Sequence, residues 1–398
     1  MARNFADKLS VPLLLTLGAL GIVGPFASDL YLPAFPQIAA ALNTTAAGVQ
    51  FTLTCFTLGL AVGQFLLGSL SDRVGRKPIL GLGMLFMGVS SLFAGISQNL
   101  YMLMIALAAM GLSSAAVQVA SRALVSDLAH GPDAARGFSV MGLLLGIGPI
   151  LGPLVGALLM SLSNWRGIFF GFAIMAGVFT VWALIAIPES LVHEKRHRGG
   201  LREMLSNMSG ILRNRNFIWH AVLIWVGVGA LFGYISASPF VMQSIFGLTP
   251  VQYTLVFALN GAGIMVTGAL SGALVKKFPP TQQARLGIFL VSTAALILGV
   301  GYVTNSLNFW VVESAFFLTP LSLGFLFGPV TALSMREVRH ANGTALALQG
   351  SIQFIIAGIT AVSVGLAGGT NIAPLVLVYA VLGVVGLIAG RVSRKLHS

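Results

Sequence analysis

Long apolar stretches alternate with short polar segments along the whole chain. Each stretch is about 20 residues long, the length that an α-helix needs to cross a bilayer. The stretches are apolar on every side and do not alternate with a period of two, so strands are not expected. They lie at approximately 11–36, 48–70, 78–96, 100–124, 137–160, 165–187, 217–242, 250–275, 285–304, 309–334, 343–367 and 372–390. The first is too long for the apolar part of a cleavable signal peptide, and we predict twelve transmembrane helices.

Composition supports a membrane protein and argues against several other classes. Hydrophobic residues make up 57% of the 398 residues and charged residues only 8%, whereas about a quarter of a soluble domain is charged. The net charge of +12 is not accompanied by a nucleic-acid-binding motif, so we expect a lipid bilayer and no nucleic acid as the partner. The sequence has no phosphate-binding G-x-x-x-x-G-K-[ST] loop, so ATP is not expected to supply energy, and we predict no cofactor.

The positive charges predict the orientation of the helices. With the N-terminus in the cytoplasm, almost every lysine and arginine lies in or near a cytoplasmic segment, and only Arg166 falls on the opposite side. An even number of helices then places both termini in the cytoplasm.

The polar, basic segment 189–216 separates six helices from six. We therefore predict an N-terminal six-helix bundle (1–188), a cytoplasmic linker (189–216) and a C-terminal six-helix bundle (217–398).

A short internal repeat supports two related halves. The segment Gly68–Asp72 follows the second predicted helix, and the similar segment Gly268–Gly272 follows the eighth. Two six-helix halves around a site at the middle of the membrane are the architecture of secondary transporters. The sequence therefore predicts a transporter and not an enzyme.

One motif argues for an enzyme. His193, Glu194 and His197 have the H-E-x-x-H spacing of zinc proteases. They lie in the basic linker without an evident third ligand, and the neighbouring Lys195 and Arg196 would repel a divalent metal. We expect no metal site, and an intramembrane protease stays a distant alternative.

The loop 68–78 (G-S-L-S-D-R-V-G-R-K-P) is the most specific local motif. Gly68 is expected to allow close approach of two helices, and Gly75 to make a tight turn. Arg76 should reach an acid at a neighbouring helix end, for which Asp127 is the candidate. The alternative interpretation is a basic loop that only fixes the topology.

The fifth predicted helix carries small residues at regular spacing. Gly148, Gly152 and Gly156 lie four residues apart, which produces one smooth stripe for close helix packing. Pro149 and Pro153 remove backbone donors and bend the helix. Ordinary packing is one interpretation of this stripe, and the resemblance described below offers a second.

Acidic residues are scarce within the predicted helices. Of the ten in the chain, only Asp29 and Glu313 lie there. A charge at mid-membrane costs about 2.5–3.5 kcal/mol on insertion scales, so such a residue is a functional candidate. We place Asp29 outward of the centre of its stretch, where its alternative role is to cap a helix broken by Pro33. Glu313 lies near an outer helix end and could simply face water. A separate polar residue, Asn260, is expected to hold helices together.

These motifs together resemble the major facilitator superfamily. The loop 68–78 matches the G-x-L-[SA]-D-R-x-G-R-[KR]-P loop of that superfamily, and 148–156 resembles its antiporter motif. The segments 29–36, 164–169 and 236–243 are similar to the bicyclomycin- and chloramphenicol-resistance (Bcr/CflA) type of multidrug:proton antiporter. The likeness covers essentially the whole chain.

The resemblance implies roles for individual residues. A cytoplasmic latch between inward and outward states would consist of Gly68, Asp72, Arg73, Gly75, Arg76 and Asp127. Proton coupling would fall to Asp29, with Glu313 as a second acid. Helices one, four, seven and ten would line a central cavity, whose candidate substrate residues are Phe26, Asp29, Ser114, Gln118, Tyr234, Ser238 and Phe317. One departure is Leu107, at a position where many such exporters have an arginine.

The implied function is proton-coupled efflux of small lipophilic drugs by alternating access. The resemblance further implies a monomer in the inner membrane of a bacterium. A superfamily importer or exporter of a metabolite is the alternative. An importer of anions would want cations at mid-membrane, and none lies at mid-helix here.

Overall fold

The computed structural model consists of long helices. It describes residues 11–128, 132–187, 189–190, 208–275, 277–338, 342–365 and 371–395, and within these ranges there is no strand. The long helices are α1 (Val11–Asp29), α2 (Ala46–Val74), α3 (Arg76–Gly95), α4 (Leu100–Leu128), α5 (Pro132–Leu162), α6 (Trp165–Ala186), α7 (Arg215–Phe240), α8 (Pro250–Leu274), α9 (Pro280–Val303), α10 (Phe309–Arg336), α11 (Asn342–Gly365) and α12 (Ala373–Lys395).

The helices have the length and apolarity that the sequence predicts. Among the described residues, eleven helical runs are long and apolar enough to cross a membrane, and α5 contributes the shorter apolar segment Ile147–Leu162. The first run, Thr16–Ala41, includes α1, the 3₁₀ turn Leu32–Ala34 and the short helix Phe35–Ala41. The predicted all-α membrane fold is confirmed.

Polar residues between the apolar stretches begin the helices. The side chains of Thr45, Asn164 and Asn308 accept hydrogen bonds from the first-turn N–H groups of α2, α6 and α10. Thr249 and Gln252 form a reciprocal capping box at the start of α8. These caps satisfy backbone donors that a helix leaves unpaired at its N-terminus.

The packing of the first six helices recurs in the last six. In the first set, α1 packs on α4 and α5, α2 packs on α4, and α3 packs on α4 and α6. In the second set, α7 packs on α10 and α11, α8 packs on α10, and α9 packs on α10 and α12. Each contact recurs with a shift of six helices, so the fold consists of two pseudo-symmetric bundles.

Two helix pairs join the bundles along their length. These are α2 with α11 and α5 with α8. Thr54 Oγ1 donates to the carbonyl of Gly358 at 3.1 Å across the first pair. In the second pair, a Cβ placed on Gly261 would lie 3.4 Å from Pro149 Cβ. Small and polar residues therefore bring the two backbones close at both seams.

A third set of contacts joins the bundles at one end. We call the end at which α1 ends and α2 begins the outer end, after the topology predicted from the charges, and the opposite end the inner end. The contacts at the outer end are Gln243 Nε2 to the Pro33 carbonyl at 3.3 Å, Gln50 Nε2 to the Ser236 carbonyl at 2.8 Å, and the rings of Phe35 and Phe240 at 5.9 Å. The segment after α1 thus lies against α7 of the other bundle.

Candidate functional site

Asp29 lies at a break in the first membrane-spanning run. The α-helix ends at this residue, and the chain continues through the 3₁₀ turn and the short helix to Ala41. The apolar run continues to Ala41, beyond the stretch that was predicted to end at residue 36, so Asp29 lies at a break inside the run. The placement of Asp29 outward of the centre stays a prediction.

Pro33 accounts for the break. Its ring nitrogen carries no hydrogen and cannot bond to the carbonyl of Asp29, four residues earlier. Proline also disfavours the helical conformation of the residue before it. The carbonyl end of α1, with its partial negative charge, and the carboxyl of Asp29 therefore fall at the same place. Such an end favours a proton or another cation over a bare carboxylate.

The surroundings of Asp29 contain little that would stabilise a negative charge. The residue is 3% exposed, and Ser28 Oγ donates to its Oδ1 at 3.0 Å. Over the ranges that the structure describes, this is its one side-chain hydrogen bond, and no lysine or arginine forms an ion pair with it. Among the described residues, the buried carboxyl of Asp29 is therefore held by one neutral hydroxyl.

The glycine stripe of α5 packs against the end of α1. A Cβ on Gly152 would lie 3.1 Å from Asp29 Cβ, and one on Gly156 would collide with the carbonyl oxygen of Leu30. A Cβ on Gly148 would lie 3.1 Å from Ile22. The stripe therefore brings α5 directly onto the segment that carries the buried acid.

Three predicted cavity residues pack within the first bundle. Ser114 and Gln118 are buried on α4 at the point where Gly24 of α1 comes closest, and Gln118 Nε2 donates to Ser114 Oγ at 3.2 Å. Phe26 stacks on Phe172 of α6, with ring centroids 6.4 Å apart. All three contact neighbouring helices of their own bundle.

The second bundle contains an aromatic cluster around Tyr234. The ring of Tyr234 stacks on Phe257 at 5.3 Å and meets Phe316 edge-on at 5.0 Å. Its hydroxyl accepts a hydrogen bond from Asn260 Nδ2 at 3.2 Å. Phe317, another predicted cavity residue, is half-buried beside Gly263 of α8.

Tyr253 pairs with the remaining predicted cavity residue. Its hydroxyl lies 3.2 Å from Ser238 Oγ, and both residues belong to the second bundle. Sequence reasoning missed Tyr253, although a tyrosine in the first turn of a membrane helix, next to a capping box, is a detectable signal.

Glu313 lies in the first turns of α10 and is half-buried. Its Oε2 is buried and has no hydrogen-bond partner among the described atoms. The Asn260 side chain lies beside it. The alternative of a carboxylate that simply faces water therefore does not hold for this oxygen. Asn260, which was expected only to hold helices together, lies beside both Glu313 and Tyr234.

The predicted pair of Arg76 and Asp127 is present at the inner end. Arg76 Nε donates to Asp127 Oδ2 at 3.1 Å, and its Nη1 donates to Ser71 Oγ at 2.9 Å. The start of the linker, which sequence reasoning missed, joins them. Glu189 Oε1 accepts from the Arg76 backbone N–H at 3.0 Å, and Ser190 Oγ donates to Asp127 at 2.8 Å.

The glycines of this loop differ in their roles. Gly75 has φ +119°, a conformation that other residues rarely adopt, so the predicted tight turn is present. The expected close approach at Gly68 is not seen, since a Cβ there would meet no described atom within 4 Å. Arg73 is exposed, and the side chain of Asp72 lies outside the described part of the chain.

The equivalent loop of the second bundle is held by an amide. Ser271 Oγ donates to Gln283 Oε1, and Gln283 Nε2 donates to the carbonyls of Ser271 at 3.1 Å and Phe278 at 2.8 Å. Ser271 corresponds to Ser71 in the internal repeat. An uncharged glutamine thus occupies the role that Arg76 has in the first bundle.

We expect Asp127→Asn to slow transport about tenfold while drug affinity changes little. The substitution removes the charge that pairs with Arg76 but keeps the size of the side chain. A tenfold effect corresponds to about 1.4 kcal/mol in the balance between two conformations. Turnover and drug Kd of purified protein would be compared with those of Glu337→Gln, which alters an acid at the inner end of α10. Wild-type turnover in Asp127→Asn would contradict the latch and would show that the loop only fixes the topology.

The H-E-x-x-H segment, His193 to His197, lies outside the described residues. Within the described ranges no group of three His, Cys, Asp or Glu side chains could hold a metal ion.

A helical fold of two related bundles, with a buried acid at a break in the first span, is the architecture of secondary transporters. The chain belongs to the Major Facilitator Superfamily, because the sequence model of that family matches residues 17–362. It is therefore a multi-pass membrane transporter and not an enzyme.

Known relatives confirm the resemblance seen in the motifs. An uncharacterized MFS-type transporter of Bacillus subtilis, YdgK, is 29% identical over 98% of this chain and 97% of its own length. A bicyclomycin resistance protein homolog of Haemophilus influenzae is 28% identical over 89% of this chain and 88% of its own. The solved peptide transporter POT in complex with alafosfalin superposes with a TM-score of 0.77 over 96% of this chain and 94% of that one. Its 14% identity shows the fold alone.

Proposed function

We propose that this chain is a proton-coupled exporter of small lipophilic drugs, acting by alternating access as a monomer in the bacterial inner membrane. Relatives named for bicyclomycin, chloramphenicol and multidrug resistance support the substrate class. The observation that carries the proposal is Asp29, a buried acid at the break of α1 that has no ion-pair partner among the described residues.

Proton binding at Asp29 would alternate with drug binding. In its ionised form the carboxylate attracts a cationic or polar drug, and in its protonated form it releases that drug. The segment after Asp29 makes the Pro33 and Phe35 contacts with α7. A change of charge at Asp29 is therefore placed to alter the contacts that join the bundles at the outer end.

The bundles would move as two bodies. We propose residues 1–188 and 217–398 as the two halves, connected by the linker 189–216. The seams between α2 and α11 and between α5 and α8 would be the surfaces about which the halves rock. The cluster of Arg76, Asp127 and Glu189 would stabilise one of the two states at the inner end.

The proton gradient is large enough for this task. Moving one charge across 100 mV is worth about 2.3 kcal/mol, and a tenfold proton gradient adds about 1.4 kcal/mol. One proton exchanged for one neutral drug would therefore sustain a drug ratio on the order of 10²–10³. The proton gradient alone would therefore supply the energy for drug export.

The test is drug uptake into proteoliposomes with an acidic lumen, using ethidium and chloramphenicol as probes. Growth of an efflux-deficient strain with and without the gene would extend the panel of drugs. We expect protection against at least one lipophilic drug, and uptake that stops when nigericin collapses the pH gradient. Protection without any dependence of uptake on the gradient would overturn proton coupling. If the strain gains no protection and the proteoliposomes take up no drug, drug export is overturned.

The predicted topology can be tested by cysteine labelling in a Cys55→Ser background. Asn305 follows α9 at the outer end, and Arg213 precedes α7 at the inner end; both are exposed. We expect a membrane-impermeant maleimide to label Asn305→Cys in intact cells and Arg213→Cys only after permeabilisation. Labelling of both in intact cells would contradict the twelve-span arrangement.

A further inference from the structure

An arginine lies inside the inner part of the fourth membrane span. Arg122 is six residues before the end of α4 at Leu128, which places it about 9 Å inside the helix at a rise of about 1.5 Å per residue. Its neighbours Ser121, Leu124 and Val125 are fully buried, whereas Arg122 is exposed. A charged side chain at this depth is a functional candidate, because membrane spans rarely contain one.

Contacts around α4 define the direction in which Arg122 extends. Gln118 faces α1 at Gly24, whereas Ala115 faces α2 at Gly63, and α3 packs on the opposite side of α4. At about 100° per residue, Arg122 lies about 40° around the helix from Gln118 and about 20° from Ala115, between the two. Arg122 therefore extends between α1 and α2. Since α2 forms a seam with the second bundle, this direction leads into the space between the bundles.

The lipid-facing residues of α4 occupy a different stripe. Its large exposed apolar side chains are Tyr101, Ile105 and Leu112, which share one side of the helix. Arg122 lies about 80° around the helix from this stripe. A guanidinium is costly in contact with lipid tails. The exposure of Arg122 is therefore contact with water at the inner opening between the bundles.

Arg122 has no partner within the protein. It forms no hydrogen bond or ion pair with a described residue, whereas Arg76 at the same end is paired with Asp127. A guanidinium carries five N–H donors in a fixed fork, which matches the two oxygens of a carboxylate. An unpaired arginine that faces the space between the bundles is therefore a site for an anionic group on a ligand.

The acid of α1 lies outward of this arginine. Gly24 lies beside Gln118, which fixes the relative height of the two antiparallel helices. Asp29 is five residues outward of Gly24, and Arg122 is four residues inward of Gln118. The two offsets add to about 14 Å along the membrane normal. Extended side chains shorten this distance to the length of a drug-sized molecule with a positive group at one end and a negative group at the other.

We propose that Arg122 binds the carboxylate of zwitterionic drugs, whose ammonium group is held by ionised Asp29. This inference rests on the proposed function and deepens it by naming a substrate class. Arg122 is at the inner opening, so it is the first of the two charges that a drug from the cytoplasm meets. A cationic drug uses Asp29 alone, and a neutral drug uses neither charge.

Equilibrium binding to protein in phosphatidylcholine nanodiscs, whose headgroups carry no net charge, tests the assignment. The probes are ciprofloxacin, which carries an ammonium and a carboxylate near neutral pH, its methyl ester, which keeps only the ammonium, and neutral chloramphenicol. Arg122→Gln should raise the Kd of ciprofloxacin about tenfold, as loss of a charged hydrogen-bonded pair does. The Kd values of the ester and chloramphenicol should not change. Asp29→Asn should raise the Kd of both ciprofloxacin and the ester.

Two further variants distinguish recognition of the carboxylate from a structural role. Arg122→Lys keeps the charge but not the planar fork, so its Kd for ciprofloxacin should lie between those of wild type and Arg122→Gln. Arg213→Gln is the matched control, because Arg213 is an exposed arginine at the inner end, just before α7. It should bind all three probes as wild type does.

The outcomes separate this inference from the proposed function. If Arg122→Gln weakens all three probes equally, or changes none of them, Arg122 does not recognise the carboxylate. Failure of ciprofloxacin to bind wild-type protein that binds chloramphenicol would overturn the substrate class. In each of these cases drug export stands as long as chloramphenicol uptake follows the proton gradient. If wild-type protein neither binds nor takes up any probe, the proposed function fails together with this inference.

Discussion

Replacing Asp29 with asparagine is expected to abolish proton-driven drug transport while leaving the protein folded in the membrane. A neutral amide is cheaper to bury than a carboxylate and has the same shape, so the break of α1 should be preserved. The substitution fixes the site in its uncharged form. In proteoliposomes with a tenfold proton gradient, wild-type protein should raise the luminal drug about tenfold per proton exchanged. The variant should give a ratio of about one.

A matched acid and an exchange assay make this result specific. Glu337→Gln removes an acid from the inner end of α10, where its side chain accepts from Asn216, and should keep proton-driven transport. Exchange of an uncharged drug such as chloramphenicol between equal concentrations should survive in Asp29→Asn, since it needs neither the charge of the carboxylate nor net proton movement. Undiminished coupling in Asp29→Asn together with its loss in Glu313→Gln would exchange the roles of the two acids.

Gly156→Ala is expected to cause the largest loss of stability among single methyl additions to the described glycine stripe of α5, Gly148, Gly152 and Gly156. The new Cβ would collide with the carbonyl oxygen of Leu30, which is backbone and cannot move aside as a side chain can. Separating the two helices should cost about 1–3 kcal/mol, as overpacking of a close contact does. Thermal unfolding of the detergent-solubilised protein, followed by size-exclusion fluorescence, measures the loss.

Other glycines provide the controls for this experiment. Gly177 of α6 has open space around its missing Cβ. Gly177→Ala should therefore be neutral or slightly stabilising, because alanine favours a helix by about 1 kcal/mol over glycine. A Cβ on Gly148 would lie 3.1 Å from Ile22 Cγ2 and 3.4 Å from Pro25 Cβ, without a collision, so Gly148→Ala should fall between the two. Equal behaviour of Gly156→Ala and Gly177→Ala would show that α5 and α1 are not in tight contact.

Features that depend on length along the chain could be predicted from the sequence. The apolar stretches gave the number and type of the helices because the thickness of a bilayer fixes their length. The pair of Arg76 and Asp127 could be anticipated because both lie at inner helix ends, where few other partners are in reach. The tight turn at Gly75 was predictable because its positive φ is a conformation that residues with a side chain rarely adopt.

Features that depend on the rotation and depth of a helix could not be predicted. Periodicity showed that Ser114 and Gln118 share a face, but it did not show that this face packs on Gly24. The length of the first span was underestimated because Pro33 ends the α-helix without ending the span, which continues to Ala41. The partner of Glu313 was missed because Asn260 is distant in sequence, and only the packing of α8 on α10 brings them together.

The two related loops at the inner end have diverged in the chemistry that holds them. One depends on the charges of Arg76 and Asp127, and the other on the neutral amide of Gln283. The side chains of Arg76 and Asp127 are mostly shielded from water, with exposures of 10% and 26%, so dissolved ions screen their attraction less than that of a surface pair. If the halves descend from one duplicated ancestor, only one copy retains an interaction that is lost when a single charge is neutralised. Such a neutralisation would then loosen the loop of the first half and leave the corresponding loop of the second half intact.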